Sequence, residues 1–116
     1  MRAVESFSEI YLYFEAVDMR KSINGLSALA QVEAGADWGK EQLFVFVNKK
    51  RKLMKILYYD KTGFAIWSKR LEEERFPWKK IFKDKVSSIT ASDLEFILSG
   101  VNIFSKHTEK FYETVV

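Results

Sequence analysis

The chain has 116 residues, of which 47% are hydrophobic and 30% charged, and it contains no cysteine. This length corresponds to one domain with a core large enough to fold without disulfides. The missing cysteine excludes a disulfide scaffold, a thiolate metal site and a cysteine nucleophile. Apolar runs are far shorter than the ~20 residues that span a bilayer. We therefore expect no signal peptide, no membrane segment and a cytoplasmic protein.

The positive charge is concentrated in one part of the chain. Residues 40–85 contain fourteen Lys/Arg and six Asp/Glu, a net charge of +8, whereas the remaining residues carry a net charge of −5. The overall charge of +3 therefore hides a strong polarisation. A clustered basic surface indicates a polyanionic partner more reliably than net charge does.

The N-terminal third predicts a strand followed by a helix. Glu9–Phe14 is rich in aromatic and β-forming residues, and Asp18 precedes apolar residues at helical spacing from Met19 to Ala30. With Asp18 as N-cap, Arg20 and Lys21 fall in the first helical turn, where cations are unfavourable. They are either solvated or paired with Asp18, or they project toward a phosphate.

The middle of the chain predicts three consecutive strands. These are Leu43–Val47, Lys52–Asp60 and Gly63–Leu71. The connections Asn48–Lys52 and Asp60–Gly63 are short, which favours an antiparallel meander. In the second connection we expect the glycine to take a positive φ.

The C-terminal third predicts one more helix. Pro77 ends regular structure, and a lysine-rich linker follows. Thr90–Asp93 is typical of a capping box, and Gly100 is placed to end the helix whose apolar stripe begins at Leu94. The fold class is therefore α+β, with a meander of three to five strands and two main helices in the order β-α-β-β-β-α. We expect one domain over residues 1–104 and a polar tail over 105–116.

The sequence contains no convincing catalytic arrangement. His107 is the only histidine and lies in the polar tail, and none of the five glycines forms a phosphate-binding loop. The acidic run Glu72–Glu74 is more typical of a solvated edge beside basic residues than of a metal site. We therefore expect a protein that is not an enzyme, with no cofactor, no metal and no small-molecule substrate.

The basic and aromatic residues are the candidates for binding. Lysine and arginine neutralise phosphates, and exposed aromatic rings stack on unpaired bases. The candidate nucleic-acid ligands are Arg20, Lys21, Lys49, Lys50, Arg51, Lys52, Lys55, Lys69 and Arg70. The candidates for stacking or partner contact are Tyr59, Trp67 and Trp78, although such rings are more often part of the core. Lys55, Tyr59, Trp67 and Lys69 form one mixed face if the strand register aligns them.

Ordered blocks along residues 11–100 resemble a known family. They are Asp18–Lys21, Gly25–Leu26, Leu43–Phe46, Leu53–Asp60, Gly63, Lys69–Glu72, Arg75–Phe76 and Trp78, followed by the helix from Leu94 to Gly100. In this order they resemble the accessory protein encoded by the second open reading frame of IS66-type bacterial insertion sequences, often labelled TnpB and unrelated to the RNA-guided nuclease of that label. The chain departs from the family in having Tyr58 and Tyr59 where tryptophan is frequent, and Lys79 where proline often follows the tryptophan.

The resemblance implies a small protein needed alongside a separate, larger transposase. It carries over no catalytic residue, and it attaches a binding role to Asp18, Arg20, Lys21, Lys55, Asp60, Lys69, Arg70 and Trp78. The sequence therefore predicts a non-enzymatic transposition factor that binds DNA at the element ends through a basic face. The alternative is a protein-interaction module that docks on the transposase or another accessory protein without contacting DNA.

Overall fold

The computed structural model describes residues 3–77 and 85–100, which form five strands, two α-helices and a short 3-10 helix. The 3-10 helix covers Val4–Ser6. The strands are β1 (Glu9–Tyr13), β2 (Gln42–Val47), β3 (Leu53–Asp60), β4 (Gly63–Arg70) and β5 (Val86–Ile89), and the helices are α1 (Ile23–Ala34) and α2 (Ala91–Leu98). The predicted α+β class is confirmed. Trp78, His107 and the predicted tail lie outside the described residues.

The strands form one mixed sheet in the order β4-β3-β2-β1-β5. The antiparallel meander β2-β3-β4 is present as predicted. β1 lies parallel to β2, with Glu9 opposite Gln42, because α1 forms the crossover between them. β5 then pairs antiparallel with the other edge of β1. β2 is thus central, and all six of its residues are buried, which explains its continuous apolar sequence.

Each face of the sheet is covered by elements of the same chain. One face packs under the 3-10 helix, Phe76 and α2, whose Leu94 and Ile97 are fully buried. The other packs under α1, through Leu26 and Ala30, and under the half-buried Trp38. The two apolar faces of the meander are therefore used in folding.

Helix α1 begins later than the sequence indicated. Its N-cap is Ser22, whose hydroxyl accepts a hydrogen bond from the Gly25 N–H at 3.4 Å. Asp18 instead accepts the Arg20 N–H at 2.9 Å in a local turn. Aspartate side chains often make such local bonds in place of helix capping. Arg20 and Lys21 consequently precede the helix.

Both predicted limits of the second helix are confirmed, whereas the predicted geometry of the β3–β4 turn is wrong. The capping box of Thr90 and Asp93 starts α2, and Gly100 follows its end with φ +89°. In the β3–β4 turn, Lys61 rather than Gly63 takes the positive φ, at +44°. Gly63 is already paired with Asp60 in the sheet, so the loop consists of Lys61 and Thr62 only. The left-handed conformation therefore falls on Lys61, the first of these two residues.

Candidate nucleic-acid interface

One end of the sheet gathers most of the predicted basic residues. β1, β2 and β4 end there, and β3 and β5 begin there. The loop after β1, the β2–β3 turn and the residues at the end of β4 therefore lie at the same end. They carry Arg20, Lys21, Lys49, Lys50, Arg51, Lys52 and Arg70.

The β2–β3 turn holds two lysines in an exposed position. The Arg51 N–H donates to the Asn48 carbonyl at 2.9 Å, so that Lys49 and Lys50 are the central residues of a tight turn. The Asn48 side-chain oxygen also accepts the N–H groups of Lys52 and Leu53, at 3.0 and 3.1 Å. These bonds fix the turn without using either exposed ammonium group.

The loop after β1 is fixed beside this turn. The Val17 N–H donates to the Val47 carbonyl at 2.9 Å, which continues the path of β1 along β2. Farther along, the Lys55 ammonium donates to the Met19 carbonyl at 2.7 Å. Arg20 forms a bidentate pair with Asp18, with Nη2 2.7 Å from Oδ2, yet its side chain stays 91% exposed.

An open groove of about 800 Å³ separates the loop from the turn. Its walls carry three cationic side chains, those of Arg20, Lys49 and Lys50, and one carboxylate, that of Asp18. Its apolar lining comes mainly from Val17, Met19 and Leu53. Val17 is buried, whereas the other two are half-buried. The groove therefore combines a basic rim with an apolar floor.

The Asp18–Arg20 pair remains ionised at neutral pH. Hydrogen bonds from the Arg20 side chain and N–H lower the pKa of Asp18 to about 2. The same contact raises the pKa of Arg20. Asp18 thus holds the guanidinium at the groove, and it occupies the Nε and Nη2 donors of Arg20 in doing so.

Three other predicted ligands use their ammonium groups within the fold. Lys55 holds the loop after β1, as described above. Lys69 donates to the Leu98 carbonyl at 2.8 Å, at the C-terminal end of α2 where cations are favourable. Lys52 donates to the Glu72 carbonyl at 3.2 Å. Arg70 is exposed, with Nε 3.7 Å from the Glu72 carboxylate.

The mixed face that the sequence left open does not form. In the observed register Ile56 lies opposite Trp67, and Tyr59 opposite Phe64. Even-numbered residues of β3 thus share a face with odd-numbered residues of β4, so Lys55 and Tyr59 lie on the face opposite to Trp67 and Lys69. The two-residue turn after Asp60 dictates this register.

Tyr59 and Trp67 also differ in their surroundings. Trp67 is half-buried and packs against the core under α2. Tyr59 is 37% exposed, and its ring meets that of Phe64 edge to face at 5.2 Å. The rings of Tyr59 and Trp67 therefore do not form a common stacking surface. Met19 and Leu53 could not be predicted as groove residues, since half-buried apolar side chains at strand and loop ends carry no recognisable signal.

Two other kinds of site are absent from residues 3–77 and 85–100. No group of three or more His, Cys, Asp or Glu side chains in these ranges is arranged to hold a metal ion. No helix in them is long and apolar enough to cross a membrane.

Comparison with known proteins identifies the family. Residues 8–108 match the family described as IS66 Orf2 like protein. Two uncharacterized proteins of Sinorhizobium fredii (strain NBRC 101917 / NGR234) are similar. One, y4hO, is 32% identical over 60 residues, which is 52% of this chain but only 51% of y4hO. The other, y4jC, is 27% identical over 88 residues, 76% of this chain and 74% of y4jC.

No solved structure shows significant similarity to the chain. The family match covers most of the sequence and includes both walls of the groove. The chain therefore belongs to the IS66 Orf2-like family and is an accessory protein of an insertion sequence.

Proposed function

We propose that the protein binds the DNA of its insertion sequence through the basic end of the sheet and acts there beside the transposase. The observation that carries this proposal is the convergence of Arg20, Lys49 and Lys50 on one groove from two separate loops. Lys21 adjoins Arg20 in the same loop and is exposed. These four cations are the proposed phosphate ligands.

The arrangement suits phosphate binding because the cations are exposed and held by short, fixed loops. Binding of Lys and Arg to phosphates releases counterions, so affinity falls steeply as salt increases. Lys52, Lys55 and Lys69 are half-buried and their ammonium groups have carbonyl partners, so we assign these residues to folding. Arg20 stays in the site because its side chain is 91% exposed although it is paired with Asp18. The proposed site is therefore smaller than the nine residues that the sequence indicated.

We further propose that the protein contributes no catalytic chemistry of its own. Its role is to hold DNA in the bacterial cytoplasm while the separate transposase breaks and joins strands.

A mobility-shift or anisotropy titration with element-end DNA over a salt series tests the proposal. A plot of log affinity against log salt has a negative slope. For each phosphate contact removed, this slope should become shallower by about 0.9 on duplex DNA. The double variant Lys49→Gln/Lys50→Gln should therefore make the slope shallower by roughly 2 and weaken binding at low salt. Lys61→Gln is the matched control, since Lys61 is an exposed turn lysine at the other end of β3.

The control should bind as the unchanged protein does. Absence of binding at low salt would refute the proposal. If Lys61→Gln loses about half as much affinity as the double variant, which is the same loss for each charge removed, net charge and not the basic end is responsible.

A second candidate function is docking on the transposase through β4. This strand lies at the edge of the sheet, and most of its residues are half-buried. Outer strands offer free backbone groups that can pair with a strand of another protein. Copurification with the transposase that persists in Lys49→Gln/Lys50→Gln but is lost when Ser68, an exposed β4 residue, is replaced by proline would favour this function. The Ser68→Pro variant must first be shown to fold.

A further inference from the structure

We propose that the groove takes an unpaired nucleotide, so that the protein binds single-stranded DNA in preference to duplex. This inference rests on the proposed function and names the form of DNA that the same site prefers. Its basis is the combination of three cations on the walls with an apolar floor.

The cations alone would bind the phosphates of a duplex as well as those of a single strand. The outer surface of a duplex presents phosphates and sugars, and its bases are stacked inside, so a rigid duplex lying across the rim leaves the floor uncovered. An unpaired strand can place phosphates on Arg20 and Lys49 and turn a base or sugar onto the floor. Only the single strand then gains the free energy of burying that apolar surface.

The floor has the properties that such a contact needs. Met19 and Leu53 are half-buried in the free protein, so they have exposed surface left to cover. Val17 also lines the groove but is only 5% exposed, so it offers little further surface to cover. A volume of about 800 Å³ is within the range of sites that hold molecules of nucleotide size.

The loops that carry the floor are also anchored independently of the ligand. The Met19 carbonyl is held by Lys55 at 2.7 Å, and the Leu53 N–H is held by the Asn48 side chain at 3.1 Å. The site is therefore largely formed before binding, which reduces the entropy lost when a flexible strand is captured.

The charge of the groove selects the occupant. Its walls carry three cations against the single carboxylate of Asp18, which is already paired with Arg20. A neutral or basic peptide would leave two lysines unmatched. An acidic peptide is the competing occupant and is included in the experiment.

The experiment measures binding of an oligo-dT strand, a duplex of the same length and poly-glutamate to the full chain. We expect the single strand to bind about fivefold or more tightly than the duplex, since burial of some tens of Å² of apolar surface produces a change of that order. Met19→Gln and Leu53→Asn preserve side-chain size approximately. Each should weaken single-strand binding by roughly threefold to fivefold and leave duplex binding unchanged.

Val32→Gln is the matched control, since Val32 is an apolar residue of α1 that is 81% exposed. It should alter neither affinity. Leu53→Trp should strengthen binding instead of weakening it. It keeps the floor apolar, so the result does not depend on whether the fold tolerates a polar residue there. The added ring should tighten single-strand binding by about fivefold through stacking.

The outcomes are distinct. Failure to bind either form of DNA would refute the proposed function. Equal affinity for the two forms, or floor variants that weaken both equally, would overturn this inference and leave duplex binding through the rim in place. Floor variants that weaken poly-glutamate binding but not single-strand binding would also overturn it and identify the groove as a contact for an acidic protein segment.

Discussion

The Lys55 ammonium donates a hydrogen bond to the Met19 carbonyl oxygen at 2.7 Å and thereby ties the central part of the sheet to the loop that carries Arg20. Lys55 belongs to β3, and Met19 lies 36 residues earlier in the chain. A residue that the sequence marked as a phosphate ligand thus has a structural role.

Replacing Lys55 by methionine should lower stability and leave the number of phosphate contacts unchanged. The half-buried Met19 carbonyl loses a charged donor, so we expect the free energy of unfolding to fall by about 1–2 kcal/mol. Urea unfolding measures this loss. Lys50→Met is the control, since an exposed lysine in a turn should change stability by less than about 0.5 kcal/mol. A salt slope that becomes shallower by about 0.9 in Lys55→Met would instead show a phosphate contact.

The titration of Asp18 should reveal its pairing with Arg20. Its pKa is lowered from 3.8 to about 2, first by the hydrogen bonds from Arg20. Because the folded-state pKa lies below the unfolded value, the pair stabilises the fold at pH values above about 4. That contribution is lost as pH falls through the folded pKa of about 2.

Carboxyl chemical shifts recorded by NMR over an acid series measure this midpoint. In Arg20→Gln the Asp18 midpoint should return toward 3.8, because the main hydrogen-bond donor is gone. An unchanged midpoint would show that the local backbone, and not the guanidinium, lowers the pKa.

Tyr13 should titrate late in the alkaline range. Burial of its ring, together with the nearby Glu15 and Glu33 carboxylates, raises its pKa from 10.0 to about 12. The folded state therefore holds the phenolic proton more tightly than the unfolded chain does. The corresponding stability is fully present below pH 10 and is lost as pH rises from 10 to 12.

Ring resonances of Tyr13, followed by NMR during an alkaline titration, measure this shift. Glu15→Gln removes one of the two carboxylates and should bring the Tyr13 midpoint closer to 10.0, while burial of the ring remains. If the midpoint does not move, Glu15 does not contribute to the shift, and burial and Glu33 account for it.

The β3–β4 turn should gain stability from a residue suited to its backbone. Lys61 has φ +44° and is exposed. A side chain in this left-handed region costs about 1–2 kcal/mol, and asparagine tolerates the region better than other non-glycine residues do. Lys61→Asn should therefore raise the free energy of unfolding by roughly 0.5–1 kcal/mol. Lys61→Val should lower it, since a β-branched side chain fits this conformation poorly. Equal effects of the two variants would contradict the proposed origin in backbone strain.

Local sequence patterns predicted the elements of this fold more completely than the way they assemble. The meander and the capping box of Thr90 and Asp93 depend on residues close in sequence, and both are confirmed. The start of α1 was wrong because Asp18 and Ser22 are both good capping residues, and only the tertiary structure distinguishes them. The parallel pairing of β1 with β2 follows from the crossover of α1, which no short pattern encodes.

The candidate site was predicted in part, for a related reason. Sequence composition marked the basic residues, but it gave no information on which ammonium groups the fold would occupy. Lys69 and Lys49 look equivalent in sequence. Lys69 lies on β4 and donates to the Leu98 carbonyl at the end of α2, whereas Lys49 lies in an exposed turn at the groove. The groove depends on contact between a loop and a turn about 30 residues apart, which only the fold supplies.

Asn48 provides the last prediction, because it separates the shape of the basic turn from its charge. Its side-chain oxygen accepts the N–H groups of Lys52 and Leu53. Asn48→Ala removes that acceptor and should lower the free energy of unfolding by about 1–2 kcal/mol. Asn48→Asp keeps an acceptor, so its stability should stay within about 0.5 kcal/mol of the unchanged protein.

The aspartate variant also places a negative charge beside Lys49 and Lys50. At moderate salt its affinity for DNA should fall by about threefold, the size expected for one exposed charge at close range. Urea unfolding and anisotropy titration of the two variants give both quantities. If Asn48→Asp is destabilised as much as Asn48→Ala, the turn requires the amide itself. If Asn48→Asp binds DNA with unchanged affinity, phosphates do not approach this turn, and the basic end is not where the DNA lies.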